Sequence, residues 1–182
     1  MIKYLTIIAF FVVNSLSIAN PFSTDSEHAL TDQQVSKIIL VGLSARIRTA
    51  EMSKARAQSM EVQNFADRSI TLHKEILADA NALFTRSGMT PVESIYSQNL
   101  ERLALENDAK LARQEEIQFD RTFIEGEVTA SEECLNAVNQ LLIPVVQNEG
   151  LKTLLVQAVP KLEQILEDAK TLLASFSTVS IE

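Results

Sequence analysis

The sequence predicts an all-α fold, an up-down four-helix bundle of two helical hairpins joined by a crossover with short helical pieces. Only four glycines and four prolines occur in 182 residues, so residues that break helices are scarce. Four long stretches repeat apolar residues every three or four positions, which is the spacing of one helix face. The length is that of one domain, and the 46% of apolar residues are enough for a core without disulfides.

The first 19 residues have the pattern of a cleaved signal peptide. Lys3 supplies the positive charge, Tyr4 to Val13 form an apolar run, and Ser17-Ile18-Ala19 places small residues before the cut. The alternative is an uncleaved anchor, but ten apolar residues fall short of the ~20 needed to span a bilayer. We therefore expect an exported chain, periplasmic or associated with the outer membrane, without a stable membrane span after cleavage.

Charge and cysteine content narrow the classes of partner. Without Lys3 the mature chain has 15 basic and 24 acidic residues, a net charge of −9. This balance disfavours nucleic acid and anionic membranes as partners. The single cysteine, Cys134, excludes an intramolecular disulfide and lies too far downstream to carry an N-terminal lipid. Its position on an apolar stripe favours a buried free thiol over an intermolecular disulfide.

Residues 20–30 are predicted to be a mobile leader that includes His28, and the bundle is predicted over 31–174. Thr31 with Gln34 predicts a capping box at the start of the first helix. Ser59 is the expected N-cap of the second helix and Gly88 its end. The short junction between these two helices predicts an antiparallel hairpin.

Two polar residues on these helices need an explanation. Arg46 lies at the edge of the first apolar stripe, where it either extends to water or pairs inside the bundle. His73 lies in the middle of the second stripe, and the simplest interpretation is a core histidine satisfied by a hydrogen bond.

The remaining elements follow from similar signals. Thr90-Pro91-Val92-Glu93 predicts the start of a weakly amphipathic crossover that continues to Arg113. A long helix is expected over Ile117 to Val138, with Asp120, Glu127 and Ser131 interrupting its apolar stripe. The last helix is expected over Leu151 to Leu173, and residues 175–182 form a frayed tail.

Motifs for catalysis are not found in the sequence. It contains no Gly-rich phosphate loop, no CxxC and no HExxH, and its two histidines do not build a convincing Ser-His-Asp arrangement. We therefore expect a protein that is not an enzyme.

Three segments carry a family resemblance: VQNFADRSITLHKEI (Val62 to Ile76), IQFDRTFIEGEV (Ile117 to Val128) and VPKLEQILEDAKTL (Val159 to Leu172). In this order, behind a signal peptide, they resemble an exported bacterial family catalogued as domain of unknown function 4142, over roughly Val35 to Leu173. The resemblance implies a ferritin-like fold with a glutamate on the first helix and histidines on the second, fourth and last. In this chain those positions hold Arg46, His73, Ser131 and Ile165.

Because only His73 retains the family's residue, we expect no cofactor. Our hypothesis is that the Arg46 guanidinium takes over the structural role of the cation, paired with Glu127 or Asp120 near His73. The alternative is that Arg46 and Glu127 both point to water. The predicted structural polar cluster consists of Arg46, His73, Asp120, Glu127 and Ser131.

The expected function is a non-enzymatic exported protein of the cell envelope, a structural or protein-interaction module with a lost metal site. Its protein partner is unidentified, and a homo-oligomer is possible. One alternative is a ferritin-like metal-binding or redox protein that holds a divalent ion with His73, Glu127 and Asp120, with Glu132 as a further candidate. Another is a carrier of a small apolar ligand between the helices, where Gly42, Ala45 and Ala66 leave room.

Overall fold

The computed structural model describes residues 30–178, and side chains as far as residue 176. The predicted signal peptide, the leader up to residue 29 and residues 179–182 of the predicted tail lie outside the described residues. Within this range the chain forms helices and no strand, which confirms the all-α prediction. The helices are α1 (Asp32–Arg56), α2 (Met60–Ser87), α3 (Ile95–Ala112), α4 (Glu116–Ala137), α5 (Ile143–Val145) and α6 (Glu149–Thr178).

Helix boundaries follow local capping signals. Thr31 Oγ1 accepts the Gln34 N–H at 3.2 Å, and Gln34 Oε1 accepts the Thr31 N–H at 3.1 Å, so the predicted capping box is formed. Ser59 Oγ accepts the Val62 N–H at the start of α2. Gly88, with φ of 64°, ends α2 in the left-handed conformation that glycine adopts without strain.

Two aspartates show how the long helices are oriented. Asp32, at the start of α1, accepts the backbone N–H groups of Gln147 and Asn148, both at 2.9 Å, so α1 and α6 begin at the same end. Asp120, near the start of α4, lies at the beginning of α2 at the opposite end. The four long helices therefore form two antiparallel pairs, α1 with α2 and α4 with α6, and α2 also packs on α6.

The crossover differs from the prediction. It carries one continuous 18-residue helix, α3, which packs along α1. Its N-cap is Ser94, in reciprocal hydrogen bonds with Ser97, and the expected start at Thr90 is wrong. The residues before it are held out of a helix, because the Val92 N–H donates to the Gln33 carbonyl oxygen at 2.9 Å.

The end of α4 is also irregular. A π-helical segment, Val138–Leu142, joins α4 to the short α5, which contains Pro144. Proline cannot donate a backbone hydrogen bond and its ring crowds the preceding turn, so a local change of helix type next to it is expected. Helix α6 continues through Pro160 to Thr178, so the first four residues of the predicted tail are helical.

The core has two parts with polar side chains between them. The first apolar cluster, which includes Ile76 of α2 and Leu155 of α6, lies toward the start of α1. The second apolar cluster, which includes Phe65 of α2 and Phe123 of α4, lies toward the opposite end. Buried polar residues occupy the positions between the two clusters along α2 and α4, namely Ser69, His73, Glu127 and Ser131.

A search of the described helices for a segment long and apolar enough to cross a membrane finds none.

Candidate functional site

The polar layer between the two apolar clusters is centred on an ion pair. Arg46 Nη2 of α1 donates to Glu127 Oε2 of α4 at 2.5 Å. The Glu127 side chain is 2% exposed and the Arg46 side chain 18%. Ser131, one turn after Glu127 on the same face of α4, places its Oγ 3.5 Å from the same Arg46 nitrogen. The pair proposed from the sequence is thus present, and Arg46 points inward.

His73 lies in the same layer as a buried, neutral histidine. The residue is 2% exposed, and its Nδ1 lies 2.8 Å from the Ser69 carbonyl oxygen and 3.3 Å from Ser69 Oγ. We assign the Nδ1 proton to the bond with the carbonyl oxygen, since a carbonyl can only accept. Burial and the positive charge of Arg46 lower the pKa of His73 to about 3.

Burial and two neighbouring charges act on the pKa of Glu127. Burial raises its pKa, the charge of Arg46 opposes that rise, and the charge of Asp108 on α3 adds to it. Cys134, further along α4, is partly buried and packs against the first apolar cluster. Its thiol pKa is raised by burial. A raised pKa keeps a thiol protonated and unreactive.

Asp120 does not belong to this layer. Its two carboxylate oxygens accept the backbone N–H groups of Gln58 at 3.0 Å and Ser59 at 2.7 Å. It lies two helical turns before Glu127, roughly 10 Å along α4. The prediction that it joins Arg46 and His73 is therefore wrong, because the unpaired N–H groups at the start of α2 attract the carboxylate.

Glu132, the further metal candidate, is also elsewhere. Its carboxylate pairs with Lys170 Nζ of α6 at 2.9 Å, and both side chains are about half exposed. It therefore belongs to the surface contact between α4 and α6.

A second polar cluster, at the contact between α1 and α3, was missed from the sequence. Asp108 of α3 accepts hydrogen bonds from Arg48 Nε at 2.7 Å and Thr49 Oγ1 at 2.5 Å, and Arg48 Nη1 also reaches Glu101 at 3.3 Å. Asp108 and Glu101 stand in the highly charged part of the crossover, where nothing in the spacing marks one acid as buried. Their pairing depends on how α3 lies against α1, which no local pattern reveals.

The residues present do not fit a divalent cation. Arginine stays positively charged in proteins, so Arg46 places a fixed cation against the buried carboxylate that a metal would need. Ile165, at the last of the four family positions, is 2% exposed and belongs to the second apolar cluster. No three His, Cys, Asp or Glu side chains converge as metal ligands anywhere in residues 30–178.

The small residues considered for an apolar ligand lie at helix contacts. A Cβ on Gly42 would lie 3.6 Å from Leu100 Cδ2 of α3, and Ala66 is part of the second apolar cluster. Ala45 is buried on α1. A groove of about 710 Å³ lies between α1 and α3, open to solvent and bordered by Lys37, Arg48 and Glu101.

Comparison with known proteins identifies the family. A family model described as a domain of unknown function (DUF4142) matches residues 19–172, which includes nearly all of the segment that showed the resemblance. Neither curated proteins nor solved structures gave a match. Because the family model covers most of the chain, the protein belongs to the DUF4142 family.

Proposed function

We propose that this protein is an exported, non-enzymatic component of the cell envelope, a ferritin-like bundle that acts as a structural or protein-interaction module. On this proposal an arginine–glutamate pair replaces the metal site that the family resemblance implies. The observation that carries it is the buried contact between Arg46 and Glu127.

The chemistry of that contact favours a structural role for the pair inside the bundle, in place of a metal centre. A guanidinium on Glu127 Oε2 neutralises the buried carboxylate and connects α1 to α4. The same positive charge repels an incoming cation. His73 is already held through Nδ1 by the Ser69 carbonyl oxygen, which leaves Nε2 as its one acceptor.

Surface charge supports a protein as the partner. The mature chain carries a net charge of −9, and charged residues line the contacts between the long helices. Charge complementarity raises association rates and selects partners. The expected partner therefore presents a basic face, whether it is a different protein or a positively charged region of an assembly in the envelope.

Whether the protein binds a metal ion is tested with the mature chain starting at Asn20. After incubation with iron, zinc or manganese and removal of free ions, elemental analysis should find substoichiometric metal in the wild type. The matched variant carries Arg46→Glu, Ser131→His and Ile165→His and retains His73. It should gain bound metal, and an added His73→Ala should remove it. Stoichiometric metal in the wild type that is lost on His73→Ala would instead establish the metal-binding alternative.

Export and binding to a partner protein are tested by a separate experiment in cells. Mass spectrometry of the chain recovered from the envelope should find Asn20 as its first residue. A photo-crosslinking amino acid at exposed positions, such as Val156 and Ile117, should capture a defined second protein from intact cells. A full-length chain confined to the cytoplasm contradicts export, and crosslinks only to the same chain would show that the module assembles with itself.

A further inference from the structure

Helix α3 differs from the other long helices in how it is attached. Only Ser97 of its 18 residues is buried, whereas α1, α2 and α4 each bury several residues, most of them apolar. The leucines on its inner face, Leu100, Leu103 and Leu111, are only half-buried, and Leu105 is 51% exposed. Apolar burial therefore contributes little to holding α3 on the bundle.

Polar contacts to α1 hold it instead, at its start, along its length, where Arg48 reaches both Glu101 and Asp108, and at its end. At its start, Lys37 pairs with Glu93 at 2.8 Å. In its second half, Asp108 accepts from Arg48 and Thr49. At its end, Arg56 donates to the carbonyl oxygens of Leu111, Ala112 and Gln114 at 2.8–3.1 Å, which satisfies the free carbonyls of the helix terminus.

These contacts are exposed to competition from water. The side chains of Arg48 and Glu101 are 38% and 40% exposed, and those of Lys37 and Glu93 30% and 52%. Ion pairs at this exposure stabilise little, because water screens the charges and both side chains lose freedom on pairing. The 13% exposed Asp108 is the best-protected member of the set. It is therefore the residue on which attachment of α3 depends most.

Packing beneath α3 is also incomplete. The open groove between α1 and α3 runs along this contact, with Leu40, Val41 and Leu105 among its apolar lining. Arg48 Nη2 is buried with no hydrogen-bond partner among the described residues. Helix α3 also touches α4, and the charge of Asp108 acts on Glu127.

We propose that α3 is a releasable strap, which detaches from α1 while α1, α2, α4 and α6 stay packed. The opening frees Asp108 from Arg48 and Thr49 and exposes the face of α1 that includes Leu40 and Val41. Such sub-global openings occur where a segment has few buried apolar contacts. The connections on either side, which begin at Gly88 before α3 and at Arg113 after it, serve as the hinges.

Hydrogen exchange of the isolated mature protein, read by mass spectrometry, tests the strap. Amides of α3 should exchange faster than those of α2 and α6. Their exchange rates should rise only weakly when a low concentration of urea is added. Asp108→Asn should speed exchange in α3 by about ten-fold, since it removes the charged acceptor of the hydrogen bonds from Arg48 and Thr49. Exchange in α2 and α6 should not change.

The matched control is Glu106→Gln, because Glu106 is an acid on the same helix that pairs with Arg102 of α3 itself. It should leave exchange in α3 unchanged. Lys37→Met, which removes the pair at the start of α3, should speed exchange in α3 alone. The strap is rejected if α3 exchanges together with α6 in the wild type, or if Asp108→Asn and Lys37→Met both accelerate all helices equally.

Discussion

At the scale of single residues, the centre of the bundle depends on one charge pair. Bringing Arg46 and Glu127 together inside the protein removes both from water, so the pair need not add net stability over apolar side chains of similar size. Its importance lies in mutual dependence, because either residue alone would leave a buried charge without a partner.

Removing the arginine alone should therefore be strongly destabilising. We expect Arg46→Met to lower the free energy of unfolding by about 3–5 kcal/mol. Glu127→Gln should also destabilise, but the double variant should lose less than the sum of the two. Urea unfolding followed by far-UV circular dichroism measures all three values. If the two losses simply add, the residues do not interact in solution.

His73 should make stability depend on pH. Its pKa is about 3 in the fold and about 6.5 in the unfolded chain, so the unfolded state binds more protons between these values. Stability should then fall as the pH drops below 6.5, by about 5 kcal/mol in total by pH 3, from 1.36 kcal/mol per pKa unit.

Comparison with a non-titrating residue isolates this contribution. In His73→Gln, unfolding free energy measured between pH 7 and pH 4 should lose the part of its slope due to the histidine. His28→Gln, at the only other histidine, should keep the wild-type slope. Parallel curves for wild type and His73→Gln would mean that His73 titrates normally in the folded protein.

At the scale of elements, two aspartates connect helices at opposite ends of the bundle by accepting backbone N–H groups. Asp32 accepts two N–H groups before α6, and Asp120 accepts two N–H groups at the start of α2. Each carboxylate meets unpaired donors at the positive end of a helix, where a negative charge is stabilising. The sequence marks Asp120 as unusual on an apolar stripe, but the loop that it binds is 61 residues away.

Glycines in the helices provide a matched test of packing. A Cβ on Gly126 of α4 meets nothing within 4 Å, whereas one on Gly150 of α6 lies 2.9 Å from Leu83 Cδ1 and 3.1 Å from Asn148 Oδ1. Gly126→Ala should stabilise the protein by about 0.5–1 kcal/mol, because alanine favours the helix. Gly150→Ala should destabilise by about 1 kcal/mol, because the buried Leu83 side chain and the Asn148 side chain that accepts the Leu151 N–H must both shift.

Thermal and urea unfolding of the two glycine variants, measured side by side, decide the sign of each effect. Equal gains for both would show that the Leu83 and Asn148 side chains move aside without loss of stability. That result would contradict the close approach of Gly150 to Leu83.

The crossover shows the limit of reading elements from sequence. Its apolar residues are few and its middle is charged, so the pattern predicts short surface pieces. The structure forms one helix because Ser94 and Ser97 cap its start, Arg56 caps its end, and Arg48 neutralises acids on its inner face. Two of these three contributions come from α1, which is distant in sequence.

At the scale of the whole molecule, a polar layer separates two apolar clusters in one continuous bundle. Helices α2 and α6 pass through both clusters, so neither cluster can unfold without breaking them. We therefore expect one cooperative unfolding transition for the four long helices.

Substitutions in each cluster test that coupling. Leu155→Ala in the first cluster should cost about 2–5 kcal/mol, and Phe123→Ala in the second about 3–5 kcal/mol. Both should shift the midpoint of a single circular dichroism transition without changing its slope. A second transition in either variant would show that the polar layer divides the bundle into units that unfold separately.

The sequence by itself determined the helical class, the capping box of α1, the N-cap and end of α2, the antiparallel hairpin and the family. These depend on residues within a few positions of each other, or on a repeat along one helix face. It also suggested the partner of Arg46, because an arginine and a glutamate on facing stripes need each other. Only the tertiary structure decided that Asp120 accepts the backbone N–H groups before α2, that α3 is one helix, and that Asp108 of α3 pairs with Arg48 of α1. Each of those outcomes depends on which groups from distant segments are left without a hydrogen-bond partner once the helices pack.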